Sequence, residues 1–151
     1  MSHASNSIIL QVATSTSDPS RQNPAVLLDG STVLNATSNS VPVFVGRIQT
    51  FCVVASCPSS GTPVGTVKIQ GCVDASAHGE DVPDVNLVNW FDMAFIDPTT
   101  GLWVTSQAIS SATTCVFEST DCSVRYIRLV YTKTSGSCTL SAKAQIKGFG
   151  H

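Results

Sequence analysis

Between Arg125 and Lys147 two runs of two-residue period flank a Ser/Gly turn, and no other stretch limits the possible folds so tightly. Ile127, Leu129 and Tyr131 fall on one face, and Tyr126, Arg128 and Val130 on the other. Beyond Ser135-Gly136-Ser137, the residues Leu140, Ala142, Ala144 and Ile146 alternate with Ser141, Lys143, Gln145 and Lys147. A two-residue period places successive side chains on opposite sides of an extended backbone, so each run reads as a strand with one face towards a core. The Ser/Gly turn between them predicts a closing β-hairpin.

A second, longer hairpin is expected from Arg47–Ser56 and Gly65–Asp74, joined by the Pro- and Ser-rich loop 57–63. In that register Val67, Ile69, Gly71 and Val73 would lie opposite Phe51, Val53 and Ala55. Shorter strands are expected at Ser7–Ala13, Ala25–Leu28 and Val41–Val45, around Asn89–Phe95, and at Leu102–Ile109. No apolar pattern of helical period runs for ten residues, and there is no internal repeat. About eight short strands with frequent turn residues predict an all-β fold, a single antiparallel β-sandwich of jelly-roll or Ig-like kind. It is assigned to residues 25–151. Residues 1–24, polar and carrying Pro19 and Pro24, read as an extended N-terminal arm.

The 151 residues suffice for one domain that buries about 70% of its unfolded surface. Only 12% of them are charged, against about 25% in an average protein. A surface so poor in charge suits contact with other protein, the alternative being a sandwich solvated by its many Ser and Thr hydroxyls. The net charge is −2 and the eight Lys and Arg residues are scattered, so a phosphate-binding face for nucleic acid is not expected. No apolar run reaches the ~20 residues of a membrane span. The short Ile8-Ile9-Leu10 run follows no basic segment, which argues against a secretory signal.

Six cysteines, Cys52, Cys57, Cys72, Cys115, Cys122 and Cys138, include no CxxC pair and match no zinc framework. They are read either as buried free thiols or as disulfides. Cys52 and Cys72 would face each other across the long hairpin, and Cys115 and Cys122 could close a short loop. Cys57 and Cys138, each next to a turn, could meet at one end of the sandwich.

Asp74, His78, Glu80, Asp81 and Asp84 form the one dense polar cluster and could converge on a cation, although they lack the EF-hand pattern; solvated loop carboxylates are the commoner outcome. The three histidines are His3, His78 and His151, and no Gly-x-Ser-x-Gly elbow, Walker motif or dinucleotide glycine motif is present. No catalytic, cofactor or metal site is therefore expected. Trp90, Trp103, Tyr126 and Tyr131 could supply a sugar-stacking platform, with core or subunit packing as the alternative.

Several short motifs, in order, resemble a family of small β-sandwich proteins that tailed bacteriophages encode as virion structural components. The closing segment supplies Arg125, Tyr126, Arg128, Leu129, Tyr131, Thr132, Ser135, Gly136, Thr139, Leu140, Lys147 and Gly148. Upstream, Gly61, Thr62, Val64 and Gly65 precede a strand ending at Asp74, followed by Asn89-Trp90. The resemblance spans residues 47–148; Cys72 and Cys138 depart from it, standing where Ser and Gly are common. It implies a non-enzymatic decoration or cement protein that binds the major capsid protein lattice. Such a protein would be made in the host bacterial cytoplasm and located in the virion. A homo-oligomer is implied too, with a trimer natural at a local three-fold axis. A carbohydrate- or receptor-binding module of a tail or fibre is the alternative.

Overall fold

A computed structural model describes residues 7–8, 25–30, 33–46, 48–59, 61–74, 87–120 and 123–148. Among these there is no helix, and hence none long and apolar enough to cross a membrane. The described residues form thirteen strands: β1 (Ser7–Ile8), β2 (Ala25–Asp29), β3 (Ser38–Ser40), β4 (Val43–Phe44), β5 (Ile48–Ser56), β6 (Val64–Cys72), β7 (Phe91–Asp92), β8 (Phe95–Ile96), β9 (Trp103–Val104), β10 (Gln107–Ile109), β11 (Thr114–Ser119), β12 (Tyr126–Ser135) and β13 (Ser141–Gly148). One sheet runs β1-β3-β12-β6-β10, with β4 also on β12 and β7 also on β6. The second runs β11-β5-β13-β2, and β8 with β9 forms a separate two-stranded ribbon. The protein is an all-β sandwich, antiparallel except where β1 lies parallel to β3.

Alternation decides which side chains meet between the sheets. Phe51, Val53 and Ala55 of β5, Ala142 and Ala144 of β13, and Phe117 of β11 point inward from one sheet. Val67 and Ile69 of β6, with Ile127, Leu129 and Tyr131 of β12, point inward from the other. Except for Val73, expected to point inward but lying beyond β6 and 57% exposed, the faces read from the sequence for β5, β6, β12 and β13 hold.

Their pairing does not. β12 bonds along its length to β6, from Tyr126 opposite Cys72 to Ser135 opposite Val64, whereas β13 bonds to β5 and β2. Neither expected hairpin exists. The β5–β6 and β12–β13 connections each carry the chain from one sheet to the other, so residues expected to lie side by side face each other across the core. Period-2 patterning fixes the buried face of a strand and says nothing about its neighbour. Cys52 and Cys72 are separated for the same reason: Cys52 lies opposite Glu118 and Gln145, and Cys72 opposite Tyr126.

The smaller strands also shift. Of the expected strand Val41–Val45 only Val43–Phe44 forms, as β4; Val41 and Pro42, which can give no ladder hydrogen bond, separate it from β3 at Ser38–Ser40. Beyond β6 the edge of the first sheet is made by two separate pieces, β7 beside Gln70–Gly71 and β10 beside Gly65–Val67. The chain between them forms the β8–β9 ribbon. Its Phe95 packs edge-to-face on Phe51 (6.1 Å) and Phe117 (5.4 Å), closing the side of the core. Gln107 Nε2 donates to the Val116 carbonyl (2.8 Å), which occupies an acceptor on the open edge of β11. Most of the expected arm lies outside the described residues; Ser7–Ile8 within it form β1.

Candidate functional site

Two regions gather the side chains singled out by the sequence. The first is the outer face of the β12-β6-β7 sheet. Here Arg128 Nε and Nη2 both donate to Gln70 Oε1 (2.9 and 2.7 Å), and Gln70 Nε2 donates to Asp92 Oδ1 (2.9 Å). Lys68 Nζ donates to the same carboxylate (3.1 Å). The Gln70 hydrogen bond, with that of Lys68 and its charge, holds Asp92 below the usual carboxylate range despite some desolvation. The Arg128 guanidinium lies 4.3 Å from the ring centroid of Trp90, a cation–π contact. Trp90 Nε1 in turn donates to the Leu87 carbonyl (2.7 Å). Beneath lie Cys72, Leu87 and Tyr126, with Phe44 packed edge-to-face on Tyr126 at 5.4 Å. A small second core thus forms outside the sandwich.

Asp74 secures this layer. Its carboxylate accepts the backbone N–H of Val88 (3.0 Å) and of Asn89 (2.9 Å), the Asn89 side-chain amide, and the Cys72 thiol. The Asn89 bonds above all bring its pKa down to about 2. This carboxylate is occupied in clasping a loop. The other residues of the expected cation cluster, His78, Glu80, Asp81 and Asp84, lie outside the described residues. Among the described residues no group of three His, Cys, Asp or Glu is placed to hold a metal ion.

The second region is an open groove of about 620 Å³ between the β8–β9 ribbon, β7 and the rim of β11. Phe91, Ile96, Trp103 and Val116 line it with Asp92 and Glu118. Trp103 is 70% exposed and pairs across the ribbon with Ile96, itself 52% exposed; Leu102 beside it is 66% exposed. The tight turn at the ribbon's tip sets these residues outward. Asp97 Oδ1 accepts the Thr99 N–H (2.8 Å), the Asp97 carbonyl accepts the Gly101 N–H (2.8 Å), and Gly101 has φ +73°.

The expected aromatic platform is therefore divided. Tyr126 and Tyr131 are buried, Trp90 lies under Arg128, and Trp103 alone offers an open ring. The groove's exposed apolar residues Phe91 and Ile96, and Leu102 beside Trp103, escaped the sequence reading because isolated apolar residues in short strands look like core. The alternation gave one usable sign: Ile96 and Trp103 each neighbour an inward residue, Phe95 and Val104, in a two-residue strand.

The five described cysteines carry free thiols: Cys52, Cys57, Cys72, Cys115 and Cys138; Cys122 lies outside the described residues. Cys57 and Cys138 are both buried in the core. The Tyr131 hydroxyl sits beside them and finds no well-aligned hydrogen-bond partner. Burial raises Cys57 to about 11 and Tyr131 to about 12, with the neighbouring thiols adding to each.

The motif residues of the phage-protein resemblance fall into these same contacts. Tyr126, Arg128, Asp74, Asn89 and Trp90 build the outer layer. Gly61 and Thr62 pack against the 136–137 turn, where a Cβ on Gly136 would run into the Thr62 carbonyl and one on Gly61 would come within 3.2 Å of the Ser137 carbonyl.

No protein-family profile matches the chain, and no curated protein does. Among solved structures it is similar to the SPBc2 prophage-derived protein YomS, with a TM-score of 0.54 and 10% identity over 82% of this chain and 90% of that one. At that identity the likeness is one of fold.

Proposed function

We propose that the chain is a non-enzymatic structural protein of a bacteriophage virion, which binds the assembled capsid surface and stabilises it. The observation that carries this reading is the cluster of exposed apolar side chains, Ile96, Leu102 and Trp103 with Phe91, on a sandwich otherwise poor in charge. Such a patch costs solubility unless another surface covers it, and an exposed Trp beside a groove is the type of anchor that dominates protein–protein affinity. Similarity of fold to a prophage-derived protein supports a phage setting. The partner is then the major capsid protein lattice, and repetition of that lattice favours a homo-oligomer, a trimer at three-fold positions.

Co-sedimentation with capsids of the encoding phage, stripped of this chain, tests the reading. Trp103 makes little contact with the core, so Trp103→Ala keeps the fold and weakens capsid binding by about tenfold or more. Undiminished binding by this variant removes the ribbon from the interface.

One observation favours a second reading, a carbohydrate-binding module of a tail or fibre. Trp103 borders a groove that also presents Glu118, Ser119, Thr120 and Ser123, a stacking ring beside hydrogen-bonding groups. Glycan-array binding that disappears in Trp103→Ala, with no capsid association by the native chain, supports this alternative.

A further inference from the structure

Any surface that covers the open groove meets charge as well as apolar walls. Phe91, Ile96, Trp103 and Val116 line it together with two carboxylates, Asp92 and Glu118, and no Lys or Arg is among its lining residues. The two acids differ. Asp92 has its cation in Lys68, whose Nζ lies 3.1 Å from Oδ1, and it also accepts Gln70 Nε2 (2.9 Å). Glu118 is an exposed residue of β11, opposite Cys52 of β5, and among the described residues no cation pairs with it. A purely apolar surface laid over the groove would take Glu118 out of water with its charge uncompensated, which is strongly unfavourable. An acidic surface would add repulsion. The ring of Trp103, 70% exposed, borders the same space, and an indole face is the strongest aromatic site for a cation. The chain already makes that contact once: the Arg128 guanidinium lies 4.3 Å from the Trp90 ring centroid while its N–H groups reach Gln70 Oε1.

We infer that the groove receives an arginine side chain of the partner protein, carried between apolar residues on a peptide segment. The guanidinium stacks on the Trp103 ring and directs its N–H groups to the Glu118 carboxylate, while the flanking apolar side chains cover Phe91, Ile96 and Val116. In an extended segment the residues two positions either side of the arginine share its face, so they are the ones that meet those walls. Arginine fits better than lysine, since a planar guanidinium can lie on a ring and also form two parallel hydrogen bonds to a carboxylate. Asp92 is already paired, so a single basic residue matches the charge the groove leaves free. For the identity of the partner the inference rests on the capsid-binding reading above; for its chemistry it rests on the groove alone. A capsid surface that offers one arginine among apolar residues fits, and an acidic or purely apolar surface does not.

Two short peptides with blocked ends test this without capsids. One reads leucine-threonine-arginine-threonine-leucine, and the other carries citrulline, the uncharged isostere, in place of arginine. Each is titrated to millimolar concentration into the full-length chain, and the Trp103 indole N–H and the Glu118 amide are followed by NMR. The arginine peptide is expected to shift both signals and to leave the Trp90 indole, bonded to the Leu87 carbonyl, unmoved. The citrulline peptide should bind more weakly by about fivefold or more. Glu118→Gln, a change at an exposed position, keeps the fold and should remove most of that difference. Equal binding of the two peptides, or no shift with either, overturns the inference, as does a preference for arginine that Glu118→Gln leaves intact. Co-sedimentation of the native chain with capsids separates the two readings. A preference for the arginine peptide without capsid binding upholds the arginine site and removes the capsid as partner; capsid binding without that preference does the reverse.

Discussion

Asp74 accepts two backbone amides, one side-chain amide and a thiol, all from the segment Val88–Asn89 and the end of β6. Those donors favour the charged form, which is why its pKa lies near 2 rather than at the ordinary 3.8. A carboxyl whose folded pKa is depressed contributes stability that is fully present above its unfolded value. That contribution is lost as pH falls from 3.8 towards 2. Amide exchange should therefore find Val88 and Asn89 protected at pH 5 and losing protection as pH approaches 2. The Leu129 amide, bonded to the buried Ser40 hydroxyl (2.9 Å), stays closed throughout. Asp74→Asn should open the same two amides already at pH 5; equal protection in native and variant chains would mean that other contacts hold the loop. The sequence reading had grouped Asp74 with the acids that follow it, because proximity along a loop is visible in a sequence and the donors that capture a carboxylate are not.

At the scale of elements, two glycines separate lack of space from backbone geometry. A Cβ on Gly65 of β6 would lie 2.5 Å from the Thr132 carbonyl and 3.0 Å from the Tyr131 ring, so the β6–β12 ladder closes over hydrogen at that point. Gly101 in the ribbon turn has open space around it but φ +73°. Gly65→Ala should thus cost about 2 kcal/mol or more through overpacking, and Gly101→Ala about 1 kcal/mol through its left-handed backbone. Urea denaturation of the two variants checks the order. The positions of β5, β6, β12 and β13 were legible because each is long enough for alternation to repeat. Their partners were not, since a Ser/Gly or Pro/Ser connection serves a crossing between sheets as well as a hairpin. The short strands β4 and β7–β10 were located only roughly, since two or three residues carry no period and their extent is set by what they border; β3 and β11 were not expected at all. Of the candidate site, the outer layer was partly legible, through Asp74, Asn89-Trp90 and Arg128 recurring in the order of the resembled family. The groove was not, because its walls come from separate segments whose meeting depends on the topology.

For the molecule as a whole, the two sheets differ in what they face. One outer face carries the Lys68–Asp92–Gln70–Arg128–Trp90 network, in which every polar group named has a partner and which covers a second small core. The side closed by the ribbon carries the open aromatic groove. The recurring motif residues belong to the first region and to the loop contacts at the end of the sandwich, where they act as scaffold. The exposed Ile96, Leu102 and Trp103 lie in the ribbon, where the family resemblance places no motif. The crossing connections have a further consequence, for the time course of folding. Because β5 and β6 enter different sheets, as do β12 and β13, the longest ladders join strands far apart in the chain, such as Tyr126 to Cys72 and Ile146 to Phe51. Neither sheet can gain its central pair from a local turn, so the loops between must close before any ladder repays their entropy. Stopped-flow refolding should accordingly be slow, in the millisecond-to-second range of non-local β folds, with both sheets appearing in a single phase. An early phase confined to one sheet would show that a nucleus forms without the crossings.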